Sequence, residues 1–263
     1  HPQYGSTPSG ERLRNSAALS TLLLGVSEPC VAVKQAIGAE GKGFDIIDLD
    51  QLGRGRIYSR ERGDSLPLEE YLAYKIEQSP GDGLILESVI KQHPVLAALN
   101  ESSVNTIRFW VTQFGERAEV RSAALKVGVP GSLVDYGTKG GAAAKIDLDS
   151  GHIDSFRLRV PQGDTEQHAF PDSLDVPFFR EALELAARAL EVFPELDFAG
   201  IDVAIDAQGP LIVELNDEPA LSHPGLVGVP TLDLLEPIPP PRDPRTRRRG
   251  RLATPSTHSR RPG

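Results

Sequence analysis

The sequence predicts an α+β fold, and three observations carry that expectation. Strand-like stretches of alternating apolar and polar residues outnumber stretches with helical period, and most come as antiparallel-type pairs. Residues 198–219, FAGIDVAIDAQGPLIVELNDEP, read as one such hairpin. Ahead of it, residues 178–193 form the clearest helix, with Phe179, Leu183, Ala186, Leu190 and Phe193 on one side.

Taken in order, residues 1–11 are a Gly, Pro and Ser-rich lead-in, and 11–24 have helical character. CVAVK (30–34) reads as a strand, AIGAEGKGF (36–44) as a Gly-rich loop, and FDIIDL (44–49) as a second strand. Residues 66–78 are expected to be helical, with Leu68, Leu72 and Ile76 on the inner face. LILESVI (84–90) has the composition of a buried strand. Residues 103–114 and 118–127 alternate well enough to pair, and 142–148 form another strand before the turn signal Asp149-Ser150-Gly151. The long helix starts after Pro177 and is stopped by Pro194. From residue 237 the chain has almost no apolar content and is expected to be a disordered, solvated tail.

The 263 residues are enough for one large or two small domains. No apolar run reaches membrane-spanning length; the longest, 19–26, is interrupted by Ser20, Thr21 and Gly25. The single cysteine, Cys30, cannot form an internal disulfide, which fits a cytoplasmic location. It reads as a small apolar residue. The absence of Met, with His1 first, suggests a fragment or processed product. Net charge is −9, but the segment from Arg242 holds eight arginines against one acid, so the first 241 residues carry −16. An acidic body argues against nucleic acid as its partner.

The 198–219 hairpin carries the chemistry. With 207–209 as its loop, Asp202 lies opposite Glu214, and Asn216 follows at the strand period of two, so all three share one face. Two carboxylates and an amide oxygen brought together call for a cation, and hard oxygen donors favour Mg²⁺ or Mn²⁺, with nucleotide phosphates completing the shell. The competing reading is the solvated face of an amphipathic hairpin. Three further groups are suggestive. Lys34 precedes a loop whose glycines can turn backbone N–H groups toward an anion, although the Walker spacing is missing. Glu87 lies in a short apolar strand whose end could offer backbone groups to a purine edge; on residue type alone a core strand with one solvent-facing carboxylate is the better account. Asn105 and Arg108 are polar groups in an apolar strand, where a guanidinium suits a phosphate, a carboxylate or a structural salt bridge.

In this order, VAVKQAIGAEGKGF, LILESVIKQHPVLAALNESSVNTIRFWVT, VDYGTKGGAAAKIDLDSGHI and GIDVAIDAQGPLIVELNDEP resemble the ATP-grasp superfamily. The closest likeness is the sugar-transfer-associated branch, related to glutamate-ligase-like enzymes. The resemblance implies two α+β subdomains gripping a nucleotide: residues 1–29 as a remnant N-terminal subdomain, 30–86 as the central one, 87–236 as the C-terminal one, and 237–263 as tail. It further implies that Lys34, Gly38, Gly41, Lys42 and Gly43 hold the ATP phosphates, that Glu87, Ser88, Val89 and Ile90 hold adenine, and that Asn105 belongs to the cofactor site. Arg108 and Lys34 would serve the transferred phosphoryl group, and Asp202, Glu214 and Asn216 the metal. The implied activity is an ATP- and Mg²⁺-dependent ligase joining a small-molecule carboxylate and amine through an acyl phosphate, associated with polysaccharide or cell-surface sugar biosynthesis. A kinase acting on a hydroxyl and a non-catalytic nucleotide-binding accessory module are the alternatives. Tyr136, before Gly140-Gly141, departs from the Asn common in the branch.

Overall fold

A computed structural model describes residues 5–13, 15–36, 41–78, 83–115, 117–135, 141–158 (157 and 158 by backbone only), 170–219, 228 and 234. It is built on two antiparallel sheets and is α+β, as expected.

The first helix, α1 (Ser16–Leu24), starts later than helical period alone suggests. Asn15 caps it, its side-chain oxygen accepting from the Ala18 amide at 2.8 Å. A five-stranded sheet follows, from β1 (Cys30–Gln35), β2 (Asp45–Asp48), β3 (Arg56–Ser59), β4 (Asp64–Pro67) and β5 (Leu84–Ser88), in the order β4-β3-β2-β1-β5. The β3–β4 hairpin has no strong periodic signature. Residues 66–67, expected to be helical, instead pair with Arg56 and Ile57, so α2 spans Leu68–Gln78. Val31, Val33, Ile47, Ile57 and Leu66 face α1 and α2 and form one core.

Two expectations are corrected here. The inner face of α2 is Leu68, Tyr71, Leu72 and Lys75, not Ile76, which is exposed. Lysine goes inward because partners for its ammonium wait there. Nor is β5 buried: among the described residues it is an edge strand paired only with β1, with Ile85 and Glu87 outside. The boundary expected between 86 and 87 falls inside this strand, whose ladder continues to Ser88 opposite Val31.

Residues 89–93 then cross to the second sheet, where the His93 amide donates to Ile205 O at 2.7 Å. A single turn, α3 (Pro94–Ala97), leads to β6 (Ile107–Phe114), β7 (Arg117–Val127) and β8 (Ala142–Ile146). Two short strands, β9 (His152–Ile153) and β11 (Leu174–Asp175), pair with each other, and β10 (Arg157–Leu158) adds to β8. Then come α4 (Phe179–Glu191), β12 (Phe198–Ile205) and β13 (Pro210–Asn216). The sheet order is β10-β8-β7-β6-β12-β13. On one face Phe179, Ala182, Ala186 and Leu190 of α4 cover Ile107, Phe109, Leu125, Ile201 and Val203; this is the larger core. Among the described residues no helix is long and apolar enough to cross a membrane. The tail from 237 lies outside the described residues.

Candidate active site

The face of the six-stranded sheet turned away from α4 collects the charges, beside a small apolar cluster of Trp110, Ala124, Ala143 and Leu234. Across β12–β6, Asp202 lies opposite Arg108; across β12–β13 it lies opposite Glu214. Three strands thus bring three ionisable side chains to one face. The route to this register differs from the simple hairpin. Asp206 accepts from the Gln208 and Gly209 amides at 2.7 and 2.9 Å, so it is taken into the loop and the ladder closes with Ile205 opposite Pro210. That register is one residue out. A bulge between Val203–Ile212 and Asp202–Glu214 restores it, so the expected pairing stands at the chemically important end.

Arg108 grips Asp202 with two parallel bonds, Nε to Oδ1 at 2.5 Å and Nη2 to Oδ2 at 2.8 Å. Lys126, two residues beyond the β7 partner of Arg108, reaches Asp202 Oδ2 at 3.1 Å. Asp135, in the loop between β7 and β8, faces Lys126 at 3.6 Å and accepts from the Thr106 amide at 3.0 Å and hydroxyl at 2.5 Å. Glu214 Oε1 lies 4.0 Å from Arg108 Nη2 and accepts from Asn216 Nδ2 at 3.0 Å. Gly200 leaves room for the guanidinium: a Cβ there would stand 3.0 Å from Arg108 Nη1 and 2.8 Å from Pro219 Cβ.

Electrostatically the two carboxylates are driven apart. Burial would raise the Asp202 pKa, but Lys126 and Arg108 overcome it and hold the group at about 2. Glu214 is raised by burial and by repulsion from Asp202, with only partial relief from Asn216. Lys126 and Arg108 both stay charged, as their acidic neighbours outweigh desolvation.

The donors fit a hard divalent cation. A carboxylate oxygen accepts about two bonds. Asp202 Oδ2 already accepts two, whereas among the described residues Oδ1 takes only Arg108 Nε and keeps a lone pair. The Glu214 side chain is half-exposed, and the Asn216 amide beside it adds a neutral oxygen. Among the described residues no set of three or more His, Cys, Asp and Glu gathers, so the amide is needed to complete three donors.

The other anticipated residues lie apart from this cluster. Lys34 and Glu87 pair with each other at 2.7 Å on the open face of the five-stranded sheet, both partly exposed. They are diagonal neighbours, since Lys34 is opposite Ile85 and Glu87 opposite Ala32. Ser88, Val89 and Ile90 form the end of β5 and the start of the crossing. Gly38 lies outside the described residues, as do Tyr136 and Gly140. Gly41, Lys42 and Gly43 form a turn in which both glycines have positive φ (65° and 69°). Gly41 meets the loop that follows β7: a Cβ on it would be 2.8 Å from Val134 Cγ1, one residue before Asp135.

Asn105 is fully buried, and its Nδ2 serves Gln92 Oε1, Leu96 O and Asn100 O at 2.8–3.1 Å. Gln92 returns bonds to Asn100 O and Ser103 O, so the two amides clasp the segment leading into β6. Their placement is that of a support beneath the site. His93 accepts from Val95 N at the start of α3 and has its ring edge-on to Phe178, an ordinary structural histidine. Sequence reasoning passes over Lys126, Asp135 and Gln92. The signal for Lys126 was present, because a cation within the apolar strand ALKV is the same anomaly that draws attention to Arg108.

A family model, sugar-transfer associated ATP-grasp, matches residues 2–234. No curated protein matches the chain. Among solved structures, a Campylobacter jejuni biotin carboxylase, in complex with β-γ-ATP, has TM-score 0.51 at 12% identity, over 89% of this chain and 42% of that one. The biotin carboxylase domain of Hydrogenobacter thermophilus 2-oxoglutarate carboxylase, in complex with MgADP, ADP and bicarbonate, has TM-score 0.49 at 15% identity, over 84% and 38%. D-alanyl-alanine synthetase A from Vibrio cholerae has TM-score 0.38 at 14% identity, over 87% and 54%. The chain thus spans between about two fifths and a half of these proteins. At such identities the likeness is one of fold.

Proposed function

Because the chain belongs to the sugar-transfer associated ATP-grasp family, we propose that it is an ATP- and Mg²⁺-dependent ligase joining a carboxylate to an amine through an acyl phosphate. The observation that carries this reading is the meeting of Arg108, Lys126, Asp202, Glu214 and Asn216 on one sheet face. Two strong cations beside a set of hard oxygen donors is an arrangement for transferring a phosphoryl group.

Asp202, Glu214 and Asn216 would hold the magnesium, which when bound offsets charge on the leaving phosphoryl group. Arg108 and Lys126 keep Asp202 ionised and present two cationic heads toward phosphate or acyl phosphate oxygens. Lys34 and the 41–43 turn take the remaining phosphates, with Lys34 exchanging Glu87 for the nucleotide. Glu87, so released, accepts from the adenine amine, and Ser88, Val89 and Ile90 offer backbone groups to the purine. The turn works as a lid that limits access of water to the acyl phosphate.

The test uses the full chain, ATP, Mg²⁺ and hydroxylamine as a general amine, with a panel of carboxylates led by uronic acids and amino acids. Hydroxamate formed in step with ADP supports the ligase. ADP formed together with a phosphorylated hydroxyl, and no hydroxamate, overturns it in favour of a kinase.

A further inference from the structure

Lys75 is not used by the chemistry above, yet it is among the most deeply buried charges in the molecule, with 1% of its surface exposed. It occupies the fourth place of the inner stripe of α2, after Leu68, Tyr71 and Leu72. An ammonium at that depth is strongly disfavoured unless it is hydrogen-bonded. Its Nζ donates to the Gly43 carbonyl at 3.0 Å and to the Glu61 carboxylate, and lies 5.9 and 5.7 Å from the centres of the Tyr71 and Tyr74 rings.

Both partners are themselves fixed. The Glu61 amide donates to Asp45 Oδ1 at 2.8 Å, and buried Asp45 also accepts from the Ile46 amide at 2.7 Å and the Ser59 hydroxyl at 2.6 Å. At Gly43, φ is 69° and a Cβ would lie 2.5 Å from Gln35 Nε2, so the exit of the Gly-rich loop rests on its entrance. The Gly43–Phe44 peptide is held at both ends, its oxygen by Lys75 and its N–H by Gly41 O at 3.3 Å. Gly41 in turn touches Val134, beside Asp135 of the charged cluster.

We infer that Lys75 is a positioning residue for the phosphate-gripping loop: from beneath, it sets the orientation of the 41–43 turn before any nucleotide arrives. This rests on the reading of the loop as an ATP lid. The loop then grips with its ordering cost already met by α2, and Glu61 is the second pin of the same anchor.

Two measurements on the full chain decide it. Amide exchange at 42–44, without nucleotide, is expected to quicken about tenfold in Lys75→Met, as for a lost charge-assisted bond, while α4 amides keep their rates. The dissociation constant for MgATP is expected to rise by a similar factor, with Lys75→Arg restoring part of both. Glu61→Gln, a half-exposed change that leaves the lysine buried, should move both readouts the same way by less, and covers the case in which Lys75→Met does not fold. A lysine with a purely structural role would lower the unfolding midpoint of Lys75→Met but leave loop exchange and nucleotide affinity of the folded protein unchanged; that result overturns the inference. If the unmodified chain binds no MgATP, the ligase reading falls, and unchanged loop exchange in the variants would sink the anchor as well.

Discussion

Two ion pairs, one on each sheet, behave differently. Arg108–Asp202 is buried, bidentate and reinforced by Lys126, with side-chain exposures of 11% and 4%. Lys34–Glu87 is a single contact between side chains 28% and 42% exposed. In low dielectric the first is a fixed element of the site, since either partner left alone would be a stranded charge. The second stands in water, holds little energy and is free to exchange for a ligand. Burial thus fixes the first pair, and exposure leaves the second labile.

The largest test of this contrast is Asp202→Ala, which strands Arg108 and Lys126 and should cost about 3–5 kcal/mol. It would be read as a fall in denaturant midpoint with unchanged slope; a loss under about 1 kcal/mol would mean water already reaches the pair. Next, Gly200→Ala sets a methyl against Pro219 and the Arg108 guanidinium, for about 1–3 kcal/mol of overpacking. Glu87→Gln should cost about 0–1 kcal/mol in the same assay, which marks the exposed limit of the comparison.

Smaller still on stability is Glu214→Gln, expected within about 0.5 kcal/mol of the parent. Its side chain is half-exposed, so a neutral side chain of the same shape costs the fold little. Mg²⁺-dependent ATP turnover should nevertheless vanish; normal turnover would remove the hairpin from the metal site. The least effect belongs to His152, whose pKa is raised above 6.5 by its hydrogen bond to Asp175 at 2.6 Å. A group raised in the folded state stabilises below its ordinary pKa and loses that contribution as pH climbs through the raised value. Amide exchange in the β9–β11 pairing should therefore quicken over that window, and His152→Gln should abolish the step.

The fold class, most strands and α4 are legible because each depends on local period and punctuation. The Asp202–Glu214 pairing is legible too, although it survives through a turn and a bulge that no count of residues supplies. The errors have specific causes. Residues 66–67 look helical until β3 offers them a partner. Ile76 looks like the inner residue of α2 until Glu61 and Gly43 O draw Lys75 inward. That the Asn105 amide meets Leu96 O and Asn100 O is another contact no local period supplies.

The sequence by itself determined the alternation, the turns and the acidic hairpin, because these follow from neighbours within a few residues and from the two-residue repeat of a strand. Only the tertiary structure decided which charges meet. Arg108 and Asp202 are 94 residues apart, and Lys126 and Asp135 reach the same carboxylate cluster from a third strand and its loop. Such meetings depend on strand order and on burial, where a desolvated charge must find whichever partner the fold brings within about 3 Å.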